Sequence, residues 1–253
     1  MDPYLYALIS TYVPEHSKIL TELAGGLIIK EVRHGNTYGN GVLHSFNDKS
    51  AIIKKGKQEW YQNGKLHRDN DLPAVIYSNG YQAWYQNGKK HRDNDLPAIM
   101  YSHGAQEWYQ NNKLHRDNDL PAVIEADGRQ EWWQNGDLHR KNDLPAIIRL
   151  YGTRSTPIQE WYWCGVHHRD NDFPAVIEAD GSQLWYQKGK LHRDNDLPAI
   201  IHANGGQEWR QNGKIHRDNN LPAVITANGT RMWYRNGKYH RDNNLPTVEY
   251  YSR

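Results

Sequence analysis

Residues 58–80 read QEWYQNGKLHRDNDLPAVIYSNG, and the same pattern returns along most of the 253-residue chain. A unit of 20 to 50 residues repeated at a fixed period marks an array rather than an ordinary globular fold. Trp60, Trp84, Trp108, Trp132, Trp161, Trp185, Trp209 and Trp233 are separated by 24, 24, 24, 29, 24, 24 and 24 residues. His67, His91, His115, His139, His168, His192, His216 and His240 each follow their Trp by seven. Arg68, Arg92, Arg116, Arg140, Arg169, Arg193, Arg217 and Arg241 come immediately after. The single step of 29 reflects a five-residue insertion within 150–157 that interrupts a turn and leaves the neighbouring copies in phase. A worn ninth copy comes first: Asn40-Gly41, His44 and Ala51-Ile52-Ile53 match Asn63-Gly64, His67 and Ala74-Val75-Ile76 at an offset of 23, without the Trp, Arg or Pro. Terminal repeats of arrays are commonly atypical.

Within one unit, residues 58–62 and 74–77 are short and rich in aromatic and β-branched side chains, which predicts strands. Asn79-Gly80 reads as a two-residue hairpin turn, recurring as Asp127-Gly128, Asp180-Gly181, Asn204-Gly205 and Asn228-Gly229. Asn63-Gly64 marks a second reversal. In the third copy Asn112 stands in place of that Gly, which points to a left-handed backbone there. Residues 67–73 form the longer connection, and Pro73 belongs at a strand start or edge because it has no N–H for a ladder. The fold class is therefore all-β: an elongated single sheet or curled solenoid of antiparallel hairpins over residues 28–253, two strands per unit. Trp60 and Tyr61 point to opposite faces of a strand. One apolar face would stay wet unless the His-Arg-Asp loops fold over it, the ribbon curls, or two copies form a homodimer.

The unit resembles the MORN repeat, W-x-x-G-x-x-H-G, in its aromatic, Asn63-Gly64 and His67. It departs at Arg68, where that pattern has Gly, and in its longer connection. A closer resemblance is to the N-G-K-x-H-R-x-x-x-x-P-A repeats of proteins from large DNA viruses. It covers about residues 28–253 and implies a β-hairpin array in a host-cell cytoplasm or a virion. Residues 1–27 differ: Leu5, Leu8, Ile9 and Tyr12 fall at helical spacing before Pro14, and residues 15–23 form a second candidate helix ending at Gly25-Gly26. The segment reads as a short helical cap. Alternatively it is a truncated F-box-like recruiting segment, since PYLYALISTYVP resembles the opening of that motif.

Composition narrows the function. Mean hydropathy is -0.96, yet 10 Trp and 17 Tyr argue against disorder. Net charge is +2 with finely mixed signs, so nucleic acid is an improbable partner. No apolar run approaches the ~20 residues of a membrane span. A lone Cys164 and an N-terminus without a signal peptide's features suit a protein that is not secreted. His67-Arg68-Asp69 imitates a kinase catalytic loop, but the triplet occurs seven times without the accompanying motifs, so no catalytic residue or cofactor is assigned. The His column, ~10 Å per repeat, is too widely spaced to share a metal. His67 with Asp71 is the one within-unit pairing to examine, and no metal is assigned. Arg is expected over an aromatic face or forked to a carbonyl, with Asn70 capping the turn. The irregular fifth copy, with Trp163, Cys164 and His167, is the candidate contact site. The expected function is a scaffold or adaptor for protein partners or for itself. Binding to anionic lipid through Lys65 and Arg68, as the MORN resemblance implies, is the second expectation.

Overall fold

The computed structural model describes residues 16–23, 26–33, 36–150 and 156–251, with side chains over 36–150 and 156–251. Two compact units divide the chain, residues 1–115 and 116–253. The described residues contain strands and turns, one short 3-10 turn at Asp242–Asn244, and no α-helix. The expected helix over 15–23 is replaced by a strand, His16–Leu23, paired antiparallel with Gly26–Arg33, which in turn pairs with Asn36–Gly39. The spacing of Ile19, Leu20 and Leu23 fits a strand as well as a helix, and Ile28, Ile29 and Val32 across the ladder supply the β-branched residues that strands favour. The first candidate helix, over 5–12, lies outside the described residues.

In the first unit one sheet runs Ile52–Lys54, Lys57–Glu59, Val75–Tyr77, Gln82–Ala83, Ile99–Met100, Gln106–Glu107, every neighbour antiparallel. In the second, eleven strands from Val123–Ile124 to Val248–Glu249 pair in chain order in the same way. Among the described residues of each unit no pairing joins the first strand to the last, so the strands form an open sheet there. The insertion leaves register untouched: Ile147↔Glu160 and Ile148↔Gln159 pair as Val75↔Ala83 and Ile76↔Gln82 do.

Each repeat holds four short strands rather than two. The strand entering from the sheet breaks at the Trp, and the chain continues into a separate tip hairpin such as Tyr61–Gln62 with Lys65–Leu66. The break has a bonding reason. Trp60 N–H donates to the Ala74 carbonyl, and the Trp60 carbonyl accepts from His67 N–H, so this residue joins neither ladder. The tip turn has Asn63 at φ 50° and Gly64 at φ 76°, the two left-handed residues of a type I′ turn. Asn111 and Asn112, at φ 51° and 69°, meet the same demand without Gly. The Asn79-Gly80 turn differs from the two-residue expectation. Gly80 N–H donates to the Tyr77 carbonyl and Tyr77 N–H to the Tyr81 carbonyl, so the loop is three residues, 78–80. Only Gly80 is left-handed, at φ 94°, which makes it a type I turn closed by a glycine bulge.

The core is thin and is set by one small residue per repeat. Ala51, Ala74, Ala98, Ala122, Ala146, Ala175, Ala199 and Ala223 are each 0% exposed. Small apolar clusters complete the core: Val75, Ala83 and Ile99 with Tyr85 and Tyr109 in the first unit, and Leu138, Ala146 and Ile147 with Trp133 and Tyr162 in the second.

Candidate functional site

The loop following each tip hairpin folds back over its own Trp, which is how the otherwise wet aromatic face is covered. Arg68 lies 3.9 Å from the centre of the Trp60 ring, and Arg92, Arg140, Arg169, Arg193, Arg217 and Arg241 repeat the geometry at 3.6 to 3.9 Å. One guanidinium N–H donates to a loop carbonyl, for example Arg92 Nη1 to Pro97 at 3.2 Å. Cation–π stacking and the expected carbonyl fork thus coexist.

The Nε–Nη2 edge of the guanidinium reaches the previous repeat. Arg92 Nε and Nη2 donate to Oδ1 and Oδ2 of Asp71 at 2.7 and 2.8 Å. The same bidentate pair joins Arg140 to Asp119, Arg169 to Asp143, Arg193 to Asp172 and Arg217 to Asp196. Each of these Asp residues also gives its carbonyl to the next copy's indole, as Trp84 Nε1–H to Asp71 at 3.0 Å. One residue therefore clamps both the indole and the guanidinium of the following repeat. The Arg92 guanidinium holds the Asp71 carboxyl below its ordinary value, and the Arg140 and Arg193 guanidinium groups do the same for Asp119 and Asp172. Asp71 and Asn70 are both left-handed, φ 54° and 58°, in a turn closed by Leu72 N–H to the Asp69 carbonyl. The demand on Asn70 is backbone conformation, which Asn tolerates, rather than the expected side-chain cap.

His67 does not meet Asp71. Its Nδ1 accepts the Asn87 backbone N–H of the next repeat at 3.0 Å, so in the neutral ring Nε2 carries the proton and donates to Asp69 Oδ1, also at 3.0 Å. His91, His192 and His216 repeat the arrangement. Among the described residues no group of three or more His, Cys, Asp or Glu is placed to hold a metal ion.

Sequence reasoning missed two partners. The Ala column recurs at the same 24-residue period between Pro and Val or Ile, a signal as regular as the Trp. Asp48, 23 residues before Asp71, keeps the clamp in the worn copy, forking to Arg68 at 2.7 and 2.7 Å.

The candidate contact residues of the fifth copy do not converge. Trp163 pairs with Val166 across the tip hairpin and is 56% exposed, edge-on to the His139 ring at 4.9 Å. Cys164 is exposed in the turn at φ 47°, the place Asn63 takes. His167 turns to the opposite face, stacked between Tyr162 and Tyr186 at 4.2 and 4.9 Å, with Nε2 2.9 Å from Glu160. Burial would raise the Glu160 carboxyl, but bonds from His167 and Tyr162 and the charge of Arg149 bring it down to about 2.

What remains outward is periodic. In the second unit the outward tip position carries Asp137, Val166, Lys190, Lys214 and Lys238, opposite Gln134, Trp163, Gln187, Gln211 and Arg235, and the loop position four residues on carries Lys141, Asp170, Asp194, Asp218 and Asp242. Turn Gly N–H groups bond to the preceding tip, as Gly213 to the Leu191 carbonyl at 2.8 Å, so the tips stack as a column. Leu144, Phe173, Leu197, Leu221 and Leu245 form a further row of partly exposed apolar side chains. Among the described residues no helix is long and apolar enough to cross a membrane. No protein-family model matches the chain, and no curated protein matches it in sequence.

Proposed function

We propose that the repeat array is a non-enzymatic scaffold that binds protein surfaces, another protein's or its own. The observation that carries this reading is the division of labour within each repeat. The His and Arg that imitate catalytic residues are bonded inside the chain, as His192 to Asp194 and Arg193 to Asp172. Lys, Asp and Leu recur outward at fixed spacing. Repeated, outward-facing columns suit an extended binding surface. Affinity capture from cell lysate tests it, using the intact chain and a K190E/K214E variant that leaves the clamp untouched. A protein retained by the first and lost by the second supports the reading. Retention of nothing, not even a second copy, overturns it.

A second reading, attachment to anionic lipid, is favoured by exposed Lys65, Lys89 and Lys113 at the tips of the first unit. The neighbouring Asp69 and Asp93 oppose that field, and Arg68 and Arg92 are committed to Asp48 and Asp71. Sedimentation with vesicles containing phosphatidylserine at low salt decides it. Lipid attachment requires pelleting that fades as salt rises, and absence of pelleting removes it.

A further inference from the structure

The fourth copy reverses both outward charges at once. Where the sixth, seventh and eighth copies have Lys190, Lys214 and Lys238 at the tip, the fourth has Asp137. Where they have Asp194, Asp218 and Asp242 in the loop, it has Lys141. The two columns share one face. Gln211 pairs directly with Lys214 across the tip hairpin, and its Nε2 donates to Asp218 Oδ2 at 3.3 Å; Gln187 stands in the same way between Lys190 and Asp194, at 2.7 Å. Residues directly opposite in an antiparallel pair project to the same side. With Gln between them, tip and loop charges of the sixth and seventh copies do not meet; in the eighth, Arg235 takes the Gln place beside Lys238 and lies 3.5 Å from Asp242. No ion pair joins Lys190 to Asp194, Lys214 to Asp218 or Asp137 to Lys141. Asp137 and Lys141 are exposed, and neither side chain has a hydrogen bond or ion pair. A paired reversal with no partner inside the chain is what an interface between chains would preserve.

We infer that a second copy of this chain docks on the tip-and-loop face of the second unit, in register, about a two-fold axis parallel to the columns. Rotation about that axis sets each tip residue against the loop residue of the same repeat in the other copy. Lys214 then faces the partner's Asp218, and Asp218 the partner's Lys214. Only same-repeat pairing keeps the fourth copy complementary, because Asp137 then meets the partner's Lys141. A shift of one repeat would set Asp137 against Asp170 and leave Lys141 facing Val166. The charges thus select the register as well as the partner. Val166 leaves the fifth copy without a charge pair and, with Trp163, places apolar surface at that point of the interface. The inference rests on the scaffold reading and names its partner.

Sedimentation velocity on the intact chain tests it, at about 50 mM and about 500 mM salt, with circular dichroism to show that each variant is folded. The wild type is expected to dimerise at low salt and weaken at high salt. D137K alone and K141D alone place like charges across the two-fold, and each is expected to weaken the dimer roughly tenfold or more. The double variant D137K/K141D matches the other copies and is expected to regain wild-type affinity. The sharpest measurement mixes the two single variants, since in the heterodimer each reversed position meets its opposite, so the mixture should dimerise where neither variant does alone. A wild type monomeric at both salts, single variants that dimerise as well as wild type, or a mixture that stays monomeric would each overturn the inference. The scaffold reading survives those results if the intact chain still captures another protein.

Discussion

Replacing Asp172 separates the two jobs the clamp residue performs. Asp172 sits at φ 57°, accepts the Trp185 indole N–H on its carbonyl at 3.0 Å, and accepts Arg193 on both carboxylate oxygens at 2.8 Å. D172N keeps the left-handed backbone and the indole bond: Asn220 occupies the corresponding place at φ 54°, its carbonyl taking Trp233 at 2.9 Å. Only the carboxylate is removed. Its side chain is 49% exposed and that of Arg193 13%, so solvent screens one partner far more than the other. Exposed ion pairs contribute ~0.2–1 kcal/mol, and bidentate charge-assisted ones more, which puts D172N at about 1–1.5 kcal/mol of destabilisation. D172A removes the same carboxylate and also forces Ala into the left-handed region, adding about 1–2 kcal/mol. Equilibrium urea unfolding of the intact chain gives both numbers, and hydrogen exchange should place the loss in the copies carrying Trp161 and Trp185. If D172N matched wild type within about 0.3 kcal/mol, the inter-repeat pair would contribute nothing. If the two variants were equally destabilised, the backbone requirement would be refuted.

Three further outcomes follow from the same geometry. A199L, at a position with no exposure, forces extra volume between repeats and should cost about 1–3 kcal/mol or prevent folding, while an Ala at an exposed tip position, K190A, should be neutral; equal Tm values for the two would contradict the Ala column as a spacing element. Acid should destabilise the chain in two windows. Burial holds His44 below its ordinary 6.5, so the stability it lends is present above that value and is lost as pH falls below it. Depressed carboxyls at Asp71, Asp119, Asp172 and Glu160 contribute stability that is present above their ordinary values of 3.8 and 4.5 and lost as pH falls toward their folded ones; a Tm that is flat from pH 7 to 3 would refute both. N195A should cost about 1–2 kcal/mol for its φ of 59°, with N195G closer to wild type, and the reverse order by thermal unfolding would show that the side chain rather than the backbone matters.

The period made most of the fold legible, because Trp60, His67 and Arg68 recur where every repeat must make the same bonds. What stayed hidden was bonding between copies. Asp71 reads as one polar residue in a loop, and nothing local shows that its carboxylate serves Arg92, 21 residues away. Likewise, the splitting of one strand into two at Trp60 follows from the carbonyl of Ala74, not from any breaker residue. The Asn79-Gly80 pair looks identical to Asn63-Gly64 in sequence, yet only the second needs two left-handed residues. At the N-terminus Ile19, Leu20 and Leu23 satisfy a helical period over too short a span to exclude a strand. The pairing with Gly26–Arg33 decides the matter.

Departures from the repeat show what each column is for, because they occur in pairs. Asn220 removes the carboxylate that Arg241 would clamp, and in the same step Glu249 replaces the Ile found at Ile201 and Ile225. Arg241 Nη1 donates to Glu249 Oε1 at 2.6 Å, while Nε is buried without a partner, a poorer solution than the fork to Asp196 that Arg217 enjoys. The Arg thus finds an acid even when its usual one is lost, which identifies neutralisation of that half-buried guanidinium as the constraint. Lys141 shows the same logic for His139. With no Asp at that position, Nδ1 instead lies 3.3 Å from the Tyr162 carbonyl as a donor, and Trp163 packs on the ring. Both exchanges are resolved by contacts inside the chain. The reversal at Asp137 is different: it accompanies Lys141, restores no internal contact, and changes only what the face presents to another molecule. That asymmetry is the reason to look for the second half of the pair on a second copy.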